Sequence, residues 1–242
     1  MKIRADQLLV KKGLVASRHE AQVLILAGQV FTAKGRVEKS SHHLEETEEI
    51  EIKEKLPFAS RGGLKLDHAL KEFDVDVSNL VCLDVGASTG GFTDCLLQRG
   101  AKKIYAVDVG YGQLHYRLRS DPRIVLFERT NFRYFDTSLI PEKMDLAVID
   151  VSFISLAKIL PKVREMMKED GRIIALVKPQ FELGPKDVKK GIVRSQEDRE
   201  RAVAKVEDEA RGLGFEPQGR CWSPIEGAKG NLECLVLLTI SG

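Results

Sequence analysis

The ten residues at 83–92, reading LDVGASTGGF, constrain this chain more than any others. Apolar Leu80, Val81 and Leu83 lead into Asp84, glycines follow at Gly86, Gly90 and Gly91, and a helical pattern opens at Phe92. Such an order predicts a buried strand breaking into a glycine-rich loop over a helix N-terminus, a common place to hold a nucleotide-like ligand. Asp108 closes the next apolar run, at 103–108, twenty-four residues after Asp84. In doubly wound sheets an acid about 20 residues from such a loop grips ribose hydroxyls.

From Leu80 onward the pattern alternates. Strands are expected near 80–85, 103–108, 123–127, 145–150 and 171–177, and helices near 91–99, 155–168 and 196–212. Two closing strands, near 215–222 and 232–238, have no long helix between them. The reading is an α/β fold: a mostly parallel sheet wound on both faces, with an antiparallel ending. A further helix follows Arg61-Gly62-Gly63, with apolar Leu64, Leu66, Ala69, Leu70 and Phe73. Pro57 interrupts regular structure, so residues 56–60 read as a linker between a small module at 1–55 and a large domain at 61–242.

In the small module a helix over 6–12 should stop at Gly13. A second should start at the capping box Ser17-x-x-Glu20 and stop at Gly28. Strands are expected at 30–32 and 49–53, with a turn at 33–36 and another around His42-His43. Charge is segregated along this stretch. Up to Arg36 seven basic residues (Lys2, Arg4, Lys11, Lys12, Arg18, Lys34, Arg36) face two acids, whereas 37–55 carries seven glutamates against three lysines. Basic helices of this kind either track a phosphate backbone or present a solvated face, and composition alone does not choose. The whole-chain net charge of +2 is equally silent.

Other classes recede. Hydrophobic residues make up 43% and charged residues 31%, enough for an ordinary packed core. The four cysteines, Cys82, Cys95, Cys221 and Cys234, have no CxxC spacing and read as reduced core thiols, with no metal site and no disulfide frame. There is no signal-peptide pattern and no apolar run near the roughly 20 residues that a membrane span needs. A cytoplasmic protein with no membrane partner is the expectation.

The glycine spacing narrows the ligand. A nicotinamide fingerprint wants G-x-G-x-x-G, and the second glycine at that spacing is missing. A phosphate-binding P-loop fails because no Lys-Ser/Thr follows the glycines. The pattern Asp84-x-Gly86-x-x-x-Gly90-Gly91 resembles motif I of S-adenosylmethionine-dependent methyltransferases. That resemblance implies that Asp84, Gly86, Ala87, Ser88, Thr89, Gly90, Gly91 and Phe92 line the methionine end of S-adenosyl-L-methionine. Asp108 would take ribose hydroxyls, and Asn131 and Phe132 would sit near adenine.

Four polar residues are expected at one edge of the sheet, the edge that carries the site in such folds. Asp150 and Lys178 end buried strands, Glu233 begins an antiparallel one, and Lys65 starts the helix before the sheet. Each alone reads as a capping acid or a solvated lysine; four at one edge do not. The set Lys65, Asp150, Lys178 and Glu233 resembles the Lys-Asp-Lys-Glu tetrad of FtsJ-type RNA ribose 2′-O-methyltransferases. The words SRGGLKL at 60–66, DVSFIS at 150–155 and VKPQFE at 177–182 agree. Residues 4–36 in turn resemble the RNA-binding domain named after ribosomal protein S-four.

Together these features are similar to the TlyA, or haemolysin A, family. The resemblance implies a Rossmann-like methyltransferase sheet of seven strands, the last antiparallel, behind a small N-terminal α+β RNA-binding domain. It also implies transfer of methyl to the ribose 2′-hydroxyl of cytidine in ribosomal RNA. Ribosomal RNA or ribosomal subunits would be the partner, with no obligatory protein partner. Arg4, Lys11, Lys12, Arg18, Lys34, Arg36 and Arg61 would make mostly backbone contacts to that RNA. Asp150 would touch both cofactor and substrate. The family's other name brings a rival, a membrane-active haemolysin, and a non-catalytic RNA-binding protein is a third reading.

A ribose hydroxyl is a poor nucleophile, so the reaction needs in-line positioning and a group to take the proton. Lys178 is assigned as that base in its neutral form. A lysine ordinarily titrates near 10.4, so poising it near 7 costs about 4 kcal/mol. Lys65 and burial would push that way, and Asp150 and Glu233 against it. The alternative is that Lys178 stays charged and orients the ribose oxygen.

Overall fold

A computed structural model describes residues 2–26, 28–52, 57–184, 186–227 and 230–241. The chain divides into two compact units, Met1–Leu56 and Pro57–Gly242.

In the first unit, strand β1 (Lys2–Arg4) leads directly into helix α1 (Ala5–Lys11), and α2 (Arg18–Leu26) follows. Glu20 N–H donates to Ser17 Oγ at 3.2 Å, the expected start of α2. Strands β2 (Val30–Thr32), β3 (Gly35–Arg36) and β5 (Glu51–Ile52) form one small antiparallel sheet. Strand β4 (His43–Glu45) pairs antiparallel with β1, so His43 is in a strand rather than the expected turn. Of the expected strand at 49–53, residues 51–52 are β5 and Lys53 lies outside the described residues. Ala5, Leu8, Leu9, Ala21, Ile25, Val30 and Leu44 form its core.

The second unit opens with α3 (Gly62–Glu72) and then builds a seven-stranded sheet: β6 (Val81–Val85), β7 (Lys103–Val107), β8 (Ile124–Phe127), β9 (Met144–Ile149), β10 (Met167–Val177), β11 (Phe215–Trp222) and β12 (Cys234–Ile240). Their order is β11-β12-β10-β9-β6-β7-β8. The five strands β6 to β10 run parallel; β12 runs antiparallel to both β10 and β11. Side chains alternate across a strand, so even and odd positions feed different faces. Odd residues such as Leu83, Ala147, Ile173 and Ala175 pack with α6 (Leu160–Met166) and α8 (Gln196–Gly212), through Val163, Val203 and Val206. Even residues such as Cys82, Leu146, Val148 and Ile174 pack with α3 and α4 (Gly91–Gln98), through Leu66, Leu70 and Leu96.

The expected helix at 155–168 is broken. A single 3-10 turn covers Leu156–Lys158, and α6 restarts at Leu160 with Pro161 in its first turn, where a missing N–H costs nothing. Residues 57–60 are fastened to the second unit. Phe58 is buried in its core, Ala59 N–H donates to Asp94 Oδ2 at 2.7 Å, and the Gln98 amide donates to the Pro57 carbonyl at 2.8 Å.

Candidate active site

The face alternation decides which side chains meet. Asp150 continues the even register of β9, Lys178 that of β10, and Glu233 shares the parity of Leu235 on β12. That is the face against which α3 lies, and α3 carries Lys65. The parallel strands end where the antiparallel β12 begins, which gathers all four groups at one edge.

They form two ion pairs. Lys65 is paired with the Glu233 carboxylate, and both are buried, 8% and 2% exposed. Lys178 Nζ lies 2.6 Å from Asp150 Oδ1 and donates to Ser152 Oγ at 2.9 Å. Gly227 is pressed against Glu233, where any Cβ would strike the carboxylate.

Asp150, alone of the four, also lines a cleft of about 580 Å³, together with Gly86, Ser88, Asp108, Asn131, Phe132, Phe153 and Ile154 among others. Gly86 stands at φ +88°, and a Cβ there would run into the Asp150 backbone carbonyl. Only glycine lets these two strand ends approach so closely. Asp108 accepts N–H bonds from Ser88 at 2.7 Å and Gly110 at 2.6 Å, one on each carboxylate oxygen. Each oxygen keeps a free lone pair for a ligand hydroxyl.

Asp84 lies beneath the glycine loop, fully buried. The Thr93 hydroxyl donates to its Oδ2 at 2.5 Å, while its Oδ1 is buried with no hydrogen-bond partner. Burial, followed by the charges of Asp150 and Asp108, pushes this carboxyl up to about 7.

Not every expected ligand residue faces the cleft. Ala87, Thr89, Gly90, Gly91 and Phe92 do not line it. The Phe92 ring is core on the α3 face, near Gly62, and Gly91 packs against Ser60 and Gly63. Phe132 does line the cleft while its ring packs against Phe135, centroids 5.8 Å apart. Two residues without an assigned role stand at the mouth. Ser152 holds Lys178, and Phe153 is 89% exposed at φ +63°, its ring 5.0 Å from that of Phe181. Both lie in the DVSFIS word, but nothing in the sequence marks a left-handed, solvent-facing phenylalanine.

The small unit holds its cations differently from what their spacing predicts. Arg4 and Arg18 both bond to the buried Asp6 carboxylate, at 2.9 and 3.0 Å, and the Gln22 amide adds a third donor. Lys11 is paired with Glu46, Lys34 with Glu48 at 2.9 Å, and Arg36 with Glu38 at 2.9 Å. Segregation along the sequence is thus largely cancelled in space. Of the seven residues assigned to RNA, Lys12 in this unit and Arg61 at the start of α3 have no ionic partner among the described residues.

A sheet in this order, with a glycine loop and a Lys-Asp-Lys-Glu edge beside one cleft, defines an S-adenosylmethionine-dependent methyltransferase. The chain belongs to the FtsJ-like methyltransferase family, whose model matches residues 58–239; the S4 domain model matches residues 3–50. It is 45% identical to the provisionally named rRNA methyltransferase YqxC of Bacillus subtilis, over 98% of this chain and 85% of that one. It is 42% identical to the 16S/23S rRNA (cytidine-2′-O)-methyltransferase TlyA of Mycobacterium tuberculosis, over 97% and 89%. A solved structure from Streptococcus thermophilus, provisionally named a hemolysin, superposes with a TM-score of 0.78 at 42% identity, covering 99% of this chain and 89% of that one.

The cleft fits the cofactor. Phe132, Ile154 and Ile159 offer apolar surface for an adenine ring, Asp108 offers acceptors for ribose hydroxyls, and the orphaned Asp84 Oδ1 lies under the loop.

Proposed function

We propose that this protein methylates the ribose 2′-hydroxyl of cytidine in ribosomal RNA, with residues 1–55 docking the RNA and 61–242 carrying the chemistry. The observation that carries this reading is the Lys178–Asp150 pair beside the cleft, backed by the Lys65–Glu233 pair.

When bound, S-adenosylmethionine supplies an electrophilic methyl group on a sulfonium. Gly86, Ser88, Asp108, Asn131 and Phe132 would hold it from the cleft walls, and Asp150 would touch both cofactor and substrate. Ser152 takes one N–H of the Lys178 nitrogen, and Asp150 stands against it as an ion-pair partner. A remaining position would meet the 2′-hydroxyl: an N–H grips its oxygen if the lysine is charged, or a lone pair takes its proton if it is neutral. The 2′-hydroxyl proton would leave the oxygen as methyl is transferred, and Lys178 would orient that oxygen or take the proton. Lys65 and Glu233, buried against each other, brace the same edge of the sheet.

Phe153 presents an aromatic face at the mouth, suited to stacking a base swung out of its helix. In the small unit, Asp6 pre-organises Arg4 and Arg18, whose outer N–H groups reach phosphate. The exposed pairs of Lys11, Lys34 and Arg36 contribute about 0–1 kcal/mol each, so phosphates can displace their acids.

Transfer of tritiated methyl to ribosomal subunits, run beside dye leakage from liposomes, tests the reading against a membrane-active one. Labelled RNA without leakage supports it; leakage without label overturns it. No helix among the described residues is long and apolar enough to cross a membrane.

A further inference from the structure

The hairpin at 186–194, reading KDVKKGIVR, sits a few residues past Lys178 and has no part in the site described above. Its four cations, Lys186, Lys189, Lys190 and Arg194, are all exposed, and among the described residues none has an ionic partner. Its single acid, Asp187, is held away by Arg201 of α8 at 2.8 Å. This contrasts with the small unit, where most cations are neutralised.

The hairpin is also built, not loose. Lys189 and Ile192 exchange backbone hydrogen bonds of 3.1 and 3.0 Å around a two-residue turn. Both turn residues are left-handed, Lys190 at φ +54° and Gly191 at φ +80°. Such turns favour Asn, Asp or Gly at the first position, so a lysine there is held against local preference. The buried Asn231 pins the turn and the arm that follows it: its amide donates to the Gly191 carbonyl at 2.8 Å and its oxygen accepts from Val193 N–H at 3.0 Å. Asn231 stands two residues before Glu233, so one short segment fixes both the hairpin and the tetrad's glutamate.

We propose that this hairpin grips the substrate's phosphate backbone through Lys186, Lys189, Lys190 and Arg194, with Asn231 as its positioning residue. The inference rests on the RNA reading of the site and adds a backbone grip carried by the catalytic unit itself. A rigid turn presenting unneutralised cations fits a polyanion, because each phosphate contact releases counterions and steepens the salt dependence of binding.

The test is binding of protein-free 16S and 23S rRNA to the full chain between 50 and 200 mM salt. Wild type is compared with Lys189→Glu/Lys190→Glu and with Lys102→Glu, a charge control beside the start of β7. The double variant should bind at least tenfold more weakly, with a salt slope shallower by about two, while Lys102→Glu changes neither by comparable amounts. Equal affinity and slope in the double variant would overturn the proposal, as would an equal loss in the control. Loss of binding to phosphatidylserine vesicles with RNA binding intact would overturn it too. Wild type that binds RNA in this hairpin-dependent way but transfers no methyl would sink the proposed function and leave the grip standing.

Discussion

Lys178 Nζ stands 2.6 Å from Asp150 Oδ1, and the two residues extend neighbouring parallel strands beyond their last ladder partners. The pair therefore depends on strand register rather than on a flexible loop. That makes the lysine a precise reporter of its own role.

Lys178→Ala should lower methyl transfer by about 10²–10⁴-fold, the usual range for a lost acid–base or orienting group. S-adenosylmethionine affinity, read by calorimetry, should stay nearly unchanged. Lys178→Arg separates the two roles, because arginine stays protonated. Partial activity in that variant marks an orienting cation; activity lost as fully as in the alanine variant marks a base.

Removing one partner of the buried Lys65–Glu233 pair leaves an uncompensated charge. Glu233→Leu or Lys65→Met should each cost about 3–5 kcal/mol in urea unfolding. The double variant should recover most of that stability and none of the activity. If the double variant methylates RNA, the pair is scaffolding alone.

Gly86→Ala places a Cβ against the Asp150 carbonyl at a left-handed φ. Cofactor affinity should fall by at least tenfold, and the left-handed strain alone should cost about 1–2 kcal/mol of stability. Gly184→Ala, which meets open space, should change neither.

Asp84 gives a pH signature. Its carboxyl is pushed from an ordinary 3.8 up to about 7 in the folded protein, chiefly by burial. Between those values the folded state binds the extra proton, so stability falls as pH rises through the window and levels off above about 7. The loss is on the order of 4 kcal/mol. Asp84→Asn, which cannot ionise, should unfold with a flatter dependence between pH 4 and 7. An unchanged pH profile would contradict the burial account.

Much of the second unit was legible because long apolar runs separated by glycines leave little choice of element. Helix α8 follows its expected span of 196–212, and the tetrad could be placed once the strand ends were known. What escaped depends on distant partners. Strands β1 and β4 are three residues each, too short for a periodic signal, and their pairing brings the acidic stretch back beside the basic one. That pairing, invisible in a linear charge count, neutralises Lys11 and Lys34. Phe92 opens α4 as its pattern predicts, but its ring turns into the core on the α3 face instead of toward the cofactor cleft. Among the described residues the 186–194 hairpin instead gathers four cations without an ionic partner, on a two-residue turn too short to give a periodic signal.

Nucleoside analysis of ribosomal RNA after incubation with the protein and S-adenosylmethionine tests the central claim most directly. The expected result is new 2′-O-methylcytidine that is absent with Lys178→Ala. Methyl found on a base, or none on RNA at all, would contradict it.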